Sequence, residues 1–429
     1  MSRGVAPYAT EEGWALDQDR GDPLAWCRDR FELPRDANGR PLLYFCGNSL
    51  GLMPRSARAA VDSVLDEWGR QGVEGHLDAE RPWYSYHEWF RDPLARLVGA
   101  LPGEVVAMNS LTVNLHLMLV SFFRPTPERF KILIEDAAFP SDTYAIATHL
   151  ETRGLDPAAA MVVVRPRPGE AVLRTEDIEA LLAEQGHEIA LLALPGVQYH
   201  TGQLLDIARI TSAAHRAGCV VGFDLAHAAG NAELRLHDWN VDFAVWCSYK
   251  YLNGGPGAVG GCFVHQRHGA SSLPRYAGRW GNDPATRFRM HLNARFVPVE
   301  GADGWQLSNP PILAMAPLRE SLEIFDLAGV AALRAKSERL TGYLEFLIRR
   351  LPSRRFEILT PVEPEARGCQ LSIRSSGAEE TVGVLRSAHG IVGDFRAPDV
   401  IRLAPVPSYN TFHEVWRVWR ALAGIAGSA

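Results

Sequence analysis

Between residues 104 and 266, short runs rich in Val, Ile and Leu alternate with stretches whose apolar residues recur at helical spacing. The runs are EVVAMNS (104–110), KILIED (131–136), MVVVRP (161–166), IALLALPG (189–196), CVVGFDLA (219–226), DFAVWCS (242–248) and VGGCFVH (259–265). Helical spacing occupies 112–123, 141–153, 175–185 and 207–217. Strands apolar along their whole length are covered on both faces, and helical crossovers join parallel neighbours. The pattern therefore predicts an α/β fold with a mostly parallel seven-stranded sheet between helices. After Asn309-Pro310-Pro311 the period changes. Residues 312–351 predict one or two long helices, followed by strands at 356–360 and 369–374 and helices at 378–389 and 411–425.

The expected organisation is an N-terminal segment (1–75) packing with the small domain, a large α/β domain (76–310), connecting helices (311–352) and a smaller α+β domain (353–429). Residues 1–30 are polar and predict an arm or short helices. A chain of 429 residues exceeds what one core supports, which agrees with two domains.

Composition narrows the function. Apolar residues make up 47% and charged residues 22%, the balance of an ordinary folded protein. A net charge of −6 leaves no basic footprint for nucleic acid or an anionic membrane. No apolar run nears the roughly 18 residues that cross a bilayer, and MSRGVAPYATEEGW has no apolar signal-peptide core. The six cysteines are scattered without a CxxC pair, against a disulfide frame or a structural zinc. The expectation is a cytoplasmic protein with a small-molecule partner.

The candidate chemistry lies at strand ends. Asp224 closes the apolar run CVVGFD, and burying an acid there is costly unless something pairs with it. In open α/β sheets, ligands sit outside the carboxyl ends of strands. A helix cap or a buried salt bridge is the plainer alternative. His227, three residues on, projects toward the same crevice if a turn begins there. Lys250 follows DFAVWCS and precedes Asn253-Gly254-Gly255-Pro256-Gly257. Most lysines are solvated surface charges, but a desolvated amine favours the neutral, nucleophilic form that a Schiff-base lysine needs. A lysine for an aldehyde and an acid for a ring nitrogen together suit pyridoxal phosphate. Asn109-Ser110-Leu111-Thr112 begins a helix, where an anion such as a phosphate is welcome, although Thr112 serves equally as a plain N-cap. Phe139 in Phe139-Pro140-Ser141-Asp142 is placed to stack on a flat ring, while Ser141 or Asp142 also makes an ordinary cap.

Longer phrases are more specific. Gly222-Phe223-Asp224-Leu225-Ala226-His227-Ala228, then Trp246-Cys247-Ser248-Tyr249-Lys250-Tyr251-Leu252-Asn253, closely resemble the kynureninase family. So do Phe45-Cys46-Gly47-Asn48-Ser49-Leu50-Gly51, Leu307-Ser308-Asn309-Pro310-Pro311 and Arg402-Leu403-Ala404-Pro405-Val406-Pro407. The resemblance spans roughly residues 40–425. It implies fold-type-I architecture, pyridoxal phosphate as cofactor and a homodimer whose active sites lie at the subunit boundary. It also implies roles. Lys250 is the Schiff-base lysine and proton shuttle, Asp224 the partner of the pyridine nitrogen, and His227 a neighbour of the cofactor. Leu111 and Thr112 hold the phosphate with help from Tyr249, which is also implicated in proton transfer. Phe139 stacks on the ring, with Pro140, Ser141 and Asp142 beside it. Trp280 and Asn309 reach the site in part across the boundary. Arg402 clamps the substrate α-carboxylate, and Ser49, His76 and Asn309 contact substrate. Pro195 departs from relatives that carry a serine there.

The implied reaction is hydrolysis of the Cβ–Cγ bond of L-kynurenine or 3-hydroxy-L-kynurenine. It gives L-alanine plus anthranilate or 3-hydroxyanthranilate, in tryptophan catabolism or NAD biosynthesis. His76 and Asn309 are polar and suit a ring hydroxyl, which favours the 3-hydroxy substrate. The rival readings are a cysteine desulfurase or class V aminotransferase on the same fold, or a non-catalytic homologue acting as a binding protein. A desulfurase requires a mobile nucleophilic cysteine, for which Cys369 is the candidate.

Overall fold

After a short strand β1 (Leu43–Tyr44), the seven apolar runs form β2 (Val105–Ala107), β3 (Lys131–Glu135), β4 (Met161–Val164), β5 (Ile189–Pro195), β6 (Val220–Asp224), β7 (Phe243–Cys247) and β8 (Gly260–Val264). The computed structural model describes residues 8–292, 295–351 and 355–427. The start of the expected N-terminal arm (1–7) and the expected boundary at 352–353 lie outside the described residues.

The seven strands make one sheet in the order β2-β8-β7-β6-β5-β3-β4. Strands β4, β3, β5, β6 and β7 run parallel, and β8 is antiparallel to both of its neighbours. Alternate residues feed two cores. Leu133, Leu192, Val221 and Trp246 pack against helices Thr175–Gln185 and Ile207–Arg216 on one face. Ile132, Leu191, Phe243 and Val245 pack against helices Leu111–Phe122 and Pro140–Thr152 on the other. That double covering is why the runs read as continuously apolar.

The run at 104–110 yields only three strand residues. Glu104 leaves the ladder because its carboxylate accepts the Leu101 and Gln266 amides, each at 2.8 Å. Asn109, at φ 48°, turns the chain into the next helix. From β3 the chain moves outward to β4, then returns to place β5 on the other side of β3. Such a reversal opens a crevice beyond the carboxyl ends of the flanking strands.

Residues 312–351 form two helices, Ile312–Ala328 and Val330–Ile348, parted by Gly329 at φ 77°. A second sheet follows, built from β9 (Glu357–Ile358), β10 (Leu371–Arg374), and, after β11 (Ile391–Val392), β12 (Asp394–Arg396) and β13 (Val400–Leu403). It is antiparallel in the order β12-β13-β10-β9, and β1 pairs with β11. The apolar pattern does not predict β11, β12 or β13, because they are short and carry Asp394, Arg396 and Arg402. No helix among the described residues is long and apolar enough to cross a membrane.

Asp242, buried ahead of β7, ties the amino-terminal edge of the sheet together. Its carboxylate accepts the Val221 amide at 2.8 Å and lies 2.9 Å from His215 Nε2 and 2.7 Å from His268 Nε2, with Arg267 alongside. Burial alone would raise its pKa, but the two histidine bonds and the Arg267 guanidinium outweigh burial and hold it well below the usual carboxylate range. A depressed folded-state value contributes stability that is present above about pH 4, the unfolded carboxylate value, and is lost as pH falls through the folded one. Asp242→Asn should therefore lower the apparent unfolding temperature at pH 7 and flatten its decline below about pH 4. Parallel acid profiles for the two proteins in a thermal scan would refute this.

Candidate active site

Four charged or hydroxyl-bearing residues are delivered to the crevice by strand ends. Glu135 ends β3, Asp224 ends β6, and Tyr249 and Lys250 follow β7. Asp224 Oδ1 accepts the Ala226 amide at 2.6 Å, which fixes the carboxylate, and Pro195 pairs beside it at the end of β5. Past Lys250 the chain reverses through the Gly254 amide donating to Ser248 O at 2.8 Å. Against this turn lies the loop carrying Asn48 and Ser49. Gly51 donates to Tyr249 O at 2.8 Å, and a Cβ there would stand 2.2 Å from Lys250 O. Only glycine permits that approach.

Glu135, Asp224, Tyr249 and Lys250 line a cavity of about 190 Å³ together with Leu111, Thr112, Phe139, Ser141, Asp142, Pro195 and His227. Lys250 Nζ sits 5.8 Å from the ring centroids of both Phe139 and Tyr249. The chain has three lysines. Lys131 pairs with Glu188 and Lys336 with Asp22, whereas Lys250 makes no ion pair among the described residues. Its amine is the one left available for chemistry.

The cavity's electrostatics follow from burial. Burial, the adjacent Asp224 charge and a hydrogen bond with Asp224 push Asp142 up to about 9. Asp142 is thus protonated at neutral pH, and Ser141 Oγ lies 3.3 Å from its Oδ1. Burial also raises Glu135 to about 7, opposed by a 3.2 Å hydrogen bond from Gln198 Nε2. His227 is driven well below its ordinary value by burial and by the Lys250 and Arg402 charges, so it is neutral, and its Nδ1 has no hydrogen-bond partner among the described residues. Burial raises the Tyr249 phenol, keeping it a proton donor.

At the other end of the cavity, helix Leu111–Phe122 begins at Ser110, whose side chain makes no capping bond. Thr112 lies inside the first turn, is not the N-cap and lines the cavity beside Leu111, and the free amides of a helix's first turn are suited to an anion. Similarly, helix Pro140–Thr152 begins at Phe139, which places Ser141 and Asp142 inside its first turn rather than at its cap. An amine, a carboxylate facing it, a flat aromatic wall, an orphaned imidazole nitrogen and an uncapped helix start form the donor set that pyridoxal phosphate requires.

Arg402 lies behind this cavity on β13, fully buried, and its charge is felt at His227. Ser49 is half-buried on the loop above. Pro140 is absent from the cavity wall, although Phe139 and Ser141 on either side line it, and three further sequence candidates stand apart from it. His76 packs edge-on against Trp83 at 5.4 Å, Trp280 is buried beside Tyr84 and Arg287, and Asn309 is exposed. The cavity also contains Glu135 and Tyr199, to which sequence reasoning gave no role. Glu135 carried the same signal as Asp224, an acid closing an apolar parallel strand. Tyr199 carried none, being one aromatic in a turn. Cys369 is wholly buried two residues ahead of β10, and burial pushes its thiol up to about 12. It cannot serve as a mobile nucleophile.

Comparison with known proteins places this site in context. A family model described as the kynureninase C-terminal domain matches residues 333–422. A protein from Myxococcus xanthus (strain DK1622) named kynureninase is 55% identical over 427 residues, covering 98% of this chain and 99% of the relative. Another of that name, from Koribacter versatilis (strain Ellin345), is 53% identical over 414 residues, covering 96% and 97%. Among solved structures, the cystine C–S lyase C-DES in complex with cysteine persulfide matches with a TM-score of 0.75 at 19% identity, covering 89% of this chain and 97% of that one. The Escherichia coli cysteine desulfurase CsdA matches at 0.74 and 18%, covering 94% and 98%. At such identities the likeness is one of fold, and the fold is the type-I architecture of pyridoxal-phosphate enzymes.

Proposed function

The chain belongs to the kynureninase family, and from that premise we propose that the cavity around Lys250 cleaves the Cβ–Cγ bond of 3-hydroxy-L-kynurenine and L-kynurenine. Water supplies the hydroxyl group, and the products are L-alanine and the corresponding anthranilate. The protein is a pyridoxal-phosphate-dependent hydrolase of carbon–carbon bonds. When bound, the cofactor supplies an electrophilic carbon and a cationic ring that spreads the charge of a carbanion. One observation carries the reading: the unpaired Lys250 amine and the Asp224 carboxylate share a cavity whose far end is an uncapped helix start.

The residues divide the work. Lys250 Nζ would hold the cofactor, and as a free amine it would take the proton from the substrate Cα. Asp224 would keep a proton on the cofactor's ring nitrogen, while neutral Asp142 donates a hydrogen bond to Asp224 without adding a competing charge. Thr112, the Leu111 turn and Tyr249 hold the phosphate. Phe139 would cover one face of the cofactor ring, with Pro140 and Ser141 beside it. His227, kept neutral, packs beside the ring without repelling its cation. Tyr249, a phenol at neutral pH, moves the proton during cleavage. Arg402 receives the α-carboxylate, and Ser49 lies at the mouth.

Trp280 and Asn309 stand apart from the cavity around Lys250, which suits a homodimer in which each completes the partner's site. Leu65, Trp68, Val73 and Leu77 supply an exposed apolar surface for that contact. The large domain (76–310) then binds the cofactor, and the small domain (353–429), with the N-terminal segment (1–75), carries Arg402 and Ser49. We place the enzyme in the cytoplasm, in tryptophan breakdown or NAD biosynthesis.

Product fluorescence with each kynurenine tests the activity: either anthranilate should appear only with the holoenzyme. Alanine released from cysteine but from neither kynurenine would sink the proposal. His76 and Asn309 are assigned to the 3-hydroxyl group of the substrate ring. Replacing both with leucine should lower the preference for the hydroxylated substrate about tenfold. An unchanged ratio of kcat/KM values removes them from specificity.

A further inference from the structure

Arg402 faces Asp394 directly across the β12–β13 pair, and the two side chains are joined fork to fork. Nε donates to Oδ1 at 2.6 Å and Nη2 donates to Oδ2, while Nη1 donates to the Tyr199 main-chain oxygen at 2.7 Å. A guanidinium has five N–H donors in one plane. Three are therefore held by Asp394 and Tyr199, the Asn48 carboxamide oxygen shares the Nε–Nη2 edge at 3.3 Å from each nitrogen, and one N–H remains on each of Nη1 and Nη2 beyond these bonds. Because Asp394 occupies the Nε–Nη2 edge, a second carboxylate must come to the Nη1–Nη2 end.

The charges fit such a visitor. Arg402 is 1% exposed and Asp394 16%, so neither is well solvated. Arg396 Nη2 lies 3.4 Å from Asp394 Oδ2. Two guanidinium groups and one carboxylate sum to +1, which one ligand carboxylate would neutralise. Tyr199 links this group to the cofactor cavity, since its carbonyl holds Arg402 and its ring meets Phe139 edge-on at 5.2 Å.

We propose that Asp394 is a positioning residue that holds the Arg402 fork so that its free end receives the substrate α-carboxylate. The proposal rests on reading Arg402 as the carboxylate clamp. Its opposite is a latch, in which Asp394 competes with substrate for the same donors. A fixed fork lets a bidentate pair form without reordering a long side chain. Asp394 therefore acts on binding of the carboxylate rather than on the chemical step.

The test compares two ligands in the holoenzyme: L-kynurenine as substrate, and the amine in which its carboxyl group is replaced by hydrogen, as inhibitor. For Asp394→Asn the KM for kynurenine should rise about tenfold while kcat stays within about threefold. The inhibition constant of the amine should stay within about twofold, because it has no carboxylate to place. Asp394→Glu, which keeps the charge, should recover part of the loss and guards against a variant that fails to fold. A lowered KM in Asp394→Asn would establish the latch, and equal weakening of both ligands would mean a general structural defect. Either outcome overturns the proposal. Arg402→Gln separates the underlying reading. If it weakens kynurenine selectively and Asp394→Asn does not, the clamp stands and the positioning role fails. If Arg402→Gln does not distinguish the two ligands, the clamp reading fails and takes the proposal with it.

Discussion

Replacing Lys250 with alanine should lower kcat by at least ~10⁴-fold and leave a protein that binds pyridoxal phosphate without a covalent bond. The size follows from two losses at one atom. The amine that tethers the cofactor disappears, and so does the base that takes the Cα proton. The cavity's other titratable groups serve poorly as that base: His227 is neutral but fully buried, Tyr249 is a phenol at neutral pH, and Glu135, raised to about 7, is held by Gln198. The other two lysines are engaged elsewhere, Lys131 with Glu188 and Lys336 with Asp22. Steady-state turnover with kynurenine and dialysis of bound cofactor measure both effects. Turnover within about tenfold of the parent protein would end this role for Lys250.

Asp224→Asn should cost about 10³-fold in kcat, second only to the lysine change. The substitution keeps the volume and can still accept the Ala226 amide, so the fold of the turn is preserved. What it removes is the negative charge that holds a proton on the ring nitrogen. Breaking a buried charge pair of this kind costs about 4 kcal/mol, which corresponds to about 10³-fold in rate. Asp142 cannot take over, because burial holds its carboxyl neutral at pH 7 even before the substitution. Removing Asp224 also removes the charge that helped raise Asp142, so part of the lost activity should return as pH rises. A variant with full activity, or one equally poor at every pH, would contradict this division between the two acids.

The large sheet was legible because each of its strands is covered on both faces, which leaves an unbroken apolar signature. Asp224 and Lys250 stood out against that signature as charges at the ends of apolar runs. Glu135 stood in the same position at the end of β3, and the argument applied to Asp224 would have found it. The strands β11, β12 and β13 escaped because two to four residues carrying Asp394, Arg396 and Arg402 leave no period to detect. Arg402 was reached only through resemblance, since a single arginine between apolar residues has no local signature of a clamp. Asp394 was not reached at all. It becomes visible only when antiparallel pairing sets it opposite Arg402. The sequence leaves Thr112, Ser141 and Asp142 open between cap and ligand, and the helix starts at Ser110 and Phe139 remove only the cap reading. Trp280, Asn309 and His76 are not gathered around the cavity of one chain, so no reading of that chain alone could unite them.

Borohydride reduction of the holoenzyme, followed by digestion and mass spectrometry, tests the account most directly. Reduction fixes the cofactor to whichever amine holds it, and with three lysines in the chain the map has few possible answers. The cofactor mass should appear on the peptide containing Lys250 and on no other. Label on Lys131 or Lys336, or no label on an active enzyme, would contradict it.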